Sequence, residues 1–388
     1  MLKKLVFTFM LIIGSVASQA TDLYTKPQPK DTTDSGGNII QRFIRYLDDS
    51  NKPKPRKKFD VSFIGGPSYS SDTKFSLGFV AAALYRRSLE DTLTPPSNAS
   101  LYGQVSTTLM YMVGIRGNHI GYADRRRLNY NVRFCSMPTY FWGIGYEDAH
   151  HDSYKTKYKD FSVDLKADFV WRLGETNVYV GPAAQFAYVR ALDIKGPKDL
   201  WYGQALTTHN LGLGFTASLD TRDNLTAPSR GWLLSFDQKF YPRFLLNGRY
   251  NFSSTEFGVN YYRRLWKGSV LASRLHGLFT YGHTPWSMLA YVGGSYTMRG
   301  YYERRYRDKS ALDLTVELRQ HVWRRSGIVV WGGVGTVFPK FSRLRWKHLL
   351  PNCGVGYRWE FKKNCNVRLD FGIGRGETGF IFNINEAF

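Results

Sequence analysis

Ala311-Leu312-Asp313-Leu314-Thr315-Val316-Glu317-Leu318-Arg319-Gln320-His321-Val322 reads as a strand with two dissimilar faces. Leu312, Leu314, Val316 and Leu318 fall on one side, and Asp313, Thr315, Glu317 and Arg319 on the other. Successive side chains of a strand point to opposite faces. One face here is greasy and the other charged, which suits a wall between lipid and a polar lumen. Just upstream stands Gly293-Gly294-Ser295-Tyr296-Thr297-Met298-Arg299-Gly300-Tyr301, an unusual loop for such a place. Together the two segments point to a membrane barrel with a loop that reaches inside.

The same period of two recurs. Phe161, Val163, Leu165, Ala167, Phe169 and Trp171 alternate with Ser162, Asp164, Lys166 and Asp168. Val355, Tyr357, Trp359 and Phe361 alternate with Gly354, Gly356, Arg358 and Glu360, and Val367, Leu369, Phe371 and Ile373 with Arg368, Asp370, Gly372 and Gly374. A soluble sandwich also alternates, with its polar face in bulk water. Three features favour the membrane: an export signal, a terminal Phe388, and 26 Tyr, 26 Phe and 10 Trp in 388 residues. Membrane barrels need aromatics for two interfacial girdles.

Sixteen strands are predicted, an even number as in closed single-chain bacterial barrels. The first eleven are 59–66, 73–86, 100–114, 126–135, 139–148, 157–172, 176–191, 207–222, 229–242, 252–266 and 269–282. Five follow the loop, at 311–323, 326–338, 350–361, 365–375 and 379–388. With the amino end periplasmic, the short turns 136–138, 173–175, 267–268, 324–325 and 362–364 fall on the inner side. The long connections 115–125, 192–206 and 283–310 fall outside, while 87–98 is a long inner exception. The expected fold is therefore an all-β, sixteen-stranded antiparallel transmembrane barrel over 59–388, with a short periplasmic segment before it.

Lys3 and Lys4, the apolar run Leu5 to Val16 and the small residues up to Ala20 read as a secretory signal peptide, residues 1–20. Residues 21–58 read as a periplasmic linker with a short helix at 39–47, which either packs under the barrel mouth or docks a periplasmic partner. The three cysteines do not form a disulfide framework, and Cys353 and Cys365 are expected at different heights of one hairpin. The net charge of +22 fits a solvated surface and a lumen lining. Nucleic acid is not an expected partner of an exported chain. The clusters Arg125-Arg126-Arg127 and Arg304-Arg305-Tyr306-Arg307 are expected in outer loops, where the two readings are simple solvation and contact with outer-membrane lipids and lipopolysaccharide phosphates.

Three segments of the carboxy-terminal half resemble the BamA/TamA bacterial surface-antigen superfamily of outer-membrane assembly and translocation barrels. They are Asp220-Thr221-Arg222-Asp223-Asn224 with Pro228-Ser229-Arg230-Gly231-Trp232; Met298-Arg299-Gly300-Tyr301 leading to Glu317-Leu318-Arg319; and the end of the chain. The resemblance implies that the sixth outer loop enters the barrel and that Arg299 meets carboxylates of the inner wall. By alternation Glu317, Asp313 and Asp370 point inward; Glu317 is the expected partner and the other two are alternatives. A guanidinium in a narrow, dry lumen needs a bidentate acidic partner. Gly300 lets the loop tip turn sharply. The family often places an aspartate in the following strand, where this chain has Gly333, so one wall carboxylate is expected to be missing.

The Asp220, Arg222, Asp223 and Gly231 motif reads as a polar turn capping two strands. Phe380, Phe382 and Phe388 resemble the signal by which the assembly machinery recognises clients, with Glu386 interrupting the apolar face. Residues 21–58 hold no polypeptide-transport-associated domain, so the chain is expected to be a barrel-only member. The implied function is insertion of outer-membrane proteins or translocation of polypeptides, through a weak seam between the first and last strands. Its partners would be client barrels or a periplasmic protein. Gly65 and Gly66 in a short first strand suit such a seam. The alternative is a passive channel or structural barrel.

Enzyme chemistry is not expected. Gly-x-Ser-x-Gly and His-Glu-x-x-His are absent from the sequence. His209-Asn210 lacks a serine at the spacing of outer-membrane phospholipases; His150-His151-Asp152 reads as a solvated loop, and Asp164 with Asp168 as lumen lining. Neither cofactor nor metal is implied.

Overall fold

The computed structural model describes residues 57–388 apart from 71–72, 92–93, 363–364 and 385. The expected signal peptide, the helix at 39–47 and the linker up to residue 56 lie outside the described residues. The first barrel strands are β1 (Phe59–Ser70), β2 (Lys74–Tyr85), β3 (Ser97–Ser106), β4 (Tyr111–Ile120), β5 (Arg126–Phe141) and β6 (Thr156–Arg172). Next come β7 (Val178–Lys195), β8 (Thr207–Asp220), β9 (Gly231–Tyr241), β10 (Asn251–Arg264) and β11 (Ser269–His283). Two short strands, β12 (Ala290–Tyr291) and β13 (Arg307–Asp308), form a separate ribbon within the long loop. The wall resumes with β14 (Ser310–Trp323), β15 (Ser326–Phe338), β16 (Leu350–Lys362), β17 (Cys365–Gly374) and β18 (Glu377–Ile384). Each wall strand pairs antiparallel with its sequence neighbour, β11 pairs with β14, and β18 returns to β1. The result is a closed, sixteen-stranded all-β barrel.

Alternation sets the two faces of the wall. In β14, Leu314 and Val316 are exposed on the outside, whereas Asp313, Thr315, Glu317 and Arg319 are buried inside. The same holds for β17, where Phe371 and Ile373 face out and Arg368 and Asp370 are buried in the lumen. Cys353 lies opposite Ile373 and Cys365 opposite Lys362, so the two residues stand at opposite ends of one hairpin.

The expected count of sixteen holds because two errors cancel. The single strand predicted over 100–114 is β3 and β4, joined at 107–110. That turn has no Gly, Pro, Asn or Asp to mark it; the Ser106 hydroxyl takes hydrogen bonds from the amides of Thr108 and Met110, and Leu109 adopts a left-handed φ of 66°. Conversely, 126–135 and part of 139–148 form one strand, β5, and the predicted turn 136–138 lies inside it. Pro138 is tolerated because β4 pairs with β5 only as far as Ser136. Beyond that point Pro138 pairs on one side alone, with Lys159 of β6, so its missing N–H costs no ladder bond.

Other boundaries shift with these. The connection expected outside at 115–125 is a short one at 121–125, on the rim that carries both ends of the barrel. The cluster Arg125-Arg126-Arg127 therefore sits at that rim and not in an outer loop; Arg127 forks onto Asp124 at 2.7 and 2.6 Å. A long connection at the opposite rim, 142–155, carries the short helix α1 (Tyr146–His150). β1 runs past Gly65 and Gly66 and is longer than expected, and β18 ends at Ile384, short of the predicted 388.

A charge on the lipid face should cost far more than the same charge in a loop. Leu314→Arg is expected to destabilise the barrel in bilayers by about 2–4 kcal/mol, and Leu246→Arg, in the exposed 242–250 connection, by less than about 1 kcal/mol. Denaturant titration in liposomes distinguishes these outcomes.

Candidate functional site

The long connection between β11 and β14 turns into the lumen and carries Arg299 to the inner wall. Arg299 is 1% exposed, a burial that a guanidinium tolerates only when paired. One Nη donates to Glu317 Oε1 and the other to Asp370 Oδ2 at 2.6 Å. Its flat face lies 3.7 Å from the centre of the Trp331 ring, a cation–π contact on the third side. Its carbonyl oxygen accepts from Asn352 Nδ2 at 2.9 Å.

The wall carboxylates are shared. Glu317 Oε2 accepts from Arg319 Nε at 3.0 Å, and Asp370 Oδ1 from Arg358 Nη1 at 2.6 Å. Arg368 Nη1 stands 3.4 Å from Asp370 Oδ2. Arg358 Nε donates to Glu386 Oε2 at 2.9 Å, and Asn366 Nδ2 to Glu386 Oε1 at 2.7 Å. Four guanidiniums (Arg299, Arg319, Arg358, Arg368) thus meet three carboxylates (Glu317, Asp370, Glu386) across β14, β16, β17 and the tail after β18.

Glycines make the seat for the loop tip. Glu317, Trp331, Gly354, Gly372 and Gly379 are successive cross-strand partners and form one inward row. Trp331 lies over Gly354, where a Cβ would approach Cζ2 to 2.2 Å. A Cβ on Gly372 would stand 2.5 Å from the Arg299 carbonyl oxygen, and one on Gly379 3.2 Å from Gly300 Cα. Gly300 itself has φ of +115° and rests against the backbone of β17, with Gly372 C and Ile373 C both 3.0 Å from where its Cβ would be. Only glycine combines that φ with so close an approach.

The rest of the loop is tied down on both sides. Met298 is buried against Gly335, and the Tyr301 ring covers Gly374 while its hydroxyl donates to Pro351 O at 2.7 Å. The amide of Tyr302 donates to Glu377 at 2.7 Å. Arg304 pairs with Asp160 of β6 at 3.0 Å, and Arg305 bridges Glu377 and Asp152 at 3.1 and 2.8 Å. Arg307 is buried beneath Phe141. The cluster 304–307, expected in an outer loop as solvated or facing lipopolysaccharide, is therefore spent on the inner wall and the 142–155 connection, where its guanidiniums take protein partners.

Of the expected wall partners, Glu317 and Asp370 both reach Arg299. Asp313 does not; it receives His276 Nδ1 at 3.0 Å, and the other ring nitrogen meets Glu256 at 3.2 Å. The second carboxylate expected to be missing at Gly333 is supplied from β17 by Asp370. Gly333 has another use: a Cβ there would stand within 2.4 Å of the Asn352 side chain, the one that holds the Arg299 carbonyl. Trp331, Asn352, Arg358 and Glu386 were not foreseen as site residues. The inward parity of Arg358, Arg368 and Asp370 was the available signal, but alternation cannot say which heights on neighbouring strands coincide.

Asp220, Arg222, Asp223 and Gly231 build the β8–β9 turn at the terminal rim. Arg222 forks onto Asp220 at 2.9 and 2.8 Å. Asp223 accepts from the amides of Ser229 and Arg230 at 2.8 and 3.2 Å. Burial alone would raise its carboxyl, but the bonds from Ser229 and Arg230 and the nearby Arg264 hold it below the usual range. Gly231 has φ of +104°, with Thr221 O 2.3 Å from where a Cβ would be. At the end of the chain Phe380 faces outward, but Phe388 turns inward, its ring 5.3 Å from the Arg319 guanidinium and its carbonyl oxygen accepting from Arg319 Nη2 at 2.9 Å. The three phenylalanines do not share one face, because Glu386 draws the tail onto Arg358.

Residues 68–386 match the Omp85 superfamily domain. None of the curated proteins matches the chain. Among solved structures, BamA from Haemophilus ducreyi lacking POTRA domains 1-3 superposes with a TM-score of 0.55 at 13% identity, covering 84% of this chain and 70% of that one. CdiB from Escherichia coli gives 0.56 at 8% identity, over 91% and 72%. CdiB from Acinetobacter baumannii gives 0.54 at 12%, over 85% of this chain, which spans 60% of that protein's length. At these identities the likeness is one of fold.

Removing the guanidinium strands two buried carboxylates. Arg299→Ala is expected to cost about 3–5 kcal/mol and to lower the temperature at which the folded band converts on mild-detergent gels. Arg299→Lys should recover only part, because one ammonium cannot fork between two acids. Gly372→Val should act like Arg299→Ala by lifting the loop tip from its seat. Gly332→Val, on the outer face with open space around it, should stay within about 0.5 kcal/mol of wild type; an equal fall for both glycine variants would refute the seat.

Proposed function

The chain belongs to the Omp85 superfamily of outer-membrane barrels, and on that premise we propose that it assists insertion of outer-membrane proteins or passage of polypeptides through the β1–β18 seam. One observation carries the reading. Among the described residues β1 and β18 pair only at Tyr69 with Phe382 and Ser70 with Ile381, whereas β1 pairs with β2 along all twelve of its residues. In a hydrocarbon environment each unsatisfied backbone group costs several kcal/mol. The edge of β1 below Tyr69, which has no registered partner on β18 among the described residues, is therefore a template on which an incoming strand gains its hydrogen bonds.

The lumen side fits this better than a passive pore. Arg299 holds the long loop across the interior, and Met298, Tyr301, Tyr306 and Trp142 form a buried cluster with α1. The work is lateral and uses no bond chemistry and no cofactor: the seam locally weakens the membrane and offers a strand edge. A client barrel is the expected partner in that step.

Full-length protein in liposomes should speed the folding of an added client barrel over protein-free liposomes. Ser70→Cys with Ile381→Cys, in a background whose native cysteines are replaced by Ser, joins directly opposed positions. Such pairs lie within disulfide reach. Oxidation should remove the acceleration and reductant restore it. Conductance without acceleration would instead identify a channel.

A further inference from the structure

The connection between β15 and β16, Pro339-Lys340-Phe341-Ser342-Arg343-Leu344-Arg345-Trp346-Lys347-His348-Leu349, stands at the rim opposite the chain ends. It carries four cations and no acid, and Lys340 to Lys347 are exposed throughout. Lys340, Arg343 and Arg345 have no carboxylate in ion-pair range among the described residues, and Lys347 reaches only Glu147 at 3.9 Å. This contrasts with the basic run 304–307, whose arginines are consumed by the wall.

Phe341 fixes where these cations hang. Phe279 of β11 and Phe338 of β15 flank Ser310 in one cross-strand row on the outward-pointing parity. Both should meet lipid, yet they are 5% and 2% exposed. The Phe341 ring lies 5.2 Å from each of them. The connection thus folds back over the outer wall, while its far end returns to the barrel mouth, where His348 stacks on Tyr146 at 4.3 Å. Between these two anchors Leu344 and Trp346 are left exposed, Trp346 at 83%.

We propose that residues 339–347 are an interfacial anchor that binds the phosphates of lipid headgroups in the leaflet at this rim. Trp346, Leu344 and the free side of Phe341 enter the boundary between headgroup and acyl chain, where aromatic residues partition. Arg343 and Arg345 fork onto phosphate oxygens, and Lys340 adds a point charge. A phosphorylated lipid is favoured over a protein partner because the cations alternate with apolar groups on a segment already lying against the lipid-facing wall.

The test uses the folded full-length chain and lipid A carrying two phosphates, with its dephosphorylated form as comparison. Native mass spectrometry should show the phosphorylated lipid retained by wild type and retained about tenfold less by Arg343→Gln with Arg345→Gln. Arg125→Gln with Arg126→Gln, which removes the same charge from the opposite rim, should retain it like wild type. Undiminished retention in the first variant, an equal loss in the second, equal retention of the dephosphorylated lipid, or a lipid-free dimer formed through this loop would each overturn the proposal. Should the first variant not fold, quenching by lipids brominated near the headgroup decides. Wild type should be quenched more than Trp346→Phe, and equal quenching would refute the anchor.

Discussion

Arg299 is where the loop, the wall and the end of the chain meet. A buried guanidinium needs its charge matched and its donors satisfied, and no single strand of this barrel can do both. Glu317 on β14 and Asp370 on β17 take the two ends of the fork, and Trp331 on β15 takes the face. Three wall strands are thereby held at one height by a residue that belongs to none of them. Removing it would leave charges in a dry interior, a larger loss than any one ion pair is worth when formed.

That constraint spreads through shared acids. Arg358 ties Asp370 to Glu386, and Glu386 draws the tail inward beside Arg319. The last strand is therefore held toward the lumen by the same network that holds the loop. Across from it, β1 finds two registered partners on β18 among the described residues. An ion-paired interior and a sparsely paired edge lie side by side, and the lock and the proposed site of work share the β16–β18 region. The outer rim shows a parallel division of labour: arginines 304–307 are internal fasteners, while those of 339–349 have no carboxylate partner among the described residues.

Much of this was legible. The period of two gave the barrel, the inward parity of Glu317 and Asp370, and the outward parity of Leu314 and Phe371. The Met298-Arg299-Gly300-Tyr301 loop marked the lock. Turns were less legible where side chains replaced the usual punctuation. Thr107–Met110 turns on a serine hydroxyl and a left-handed leucine, and Pro138 sits inside a strand because its neighbour ends first. Local sequence records neither fact.

The sequence by itself determined a two-faced β wall of membrane-barrel type and a lumen loop whose arginine seeks acid, because alternation and unpaired charge are properties of a strand read alone. Only the tertiary structure decided that Asp370 joins Glu317 while Asp313 goes to His276, that Gly333 makes room for Asn352, and that Glu386 turns inward. Each of those outcomes depends on the shear between neighbouring strands, which sets the heights at which side chains meet, and shear is a property of the closed barrel.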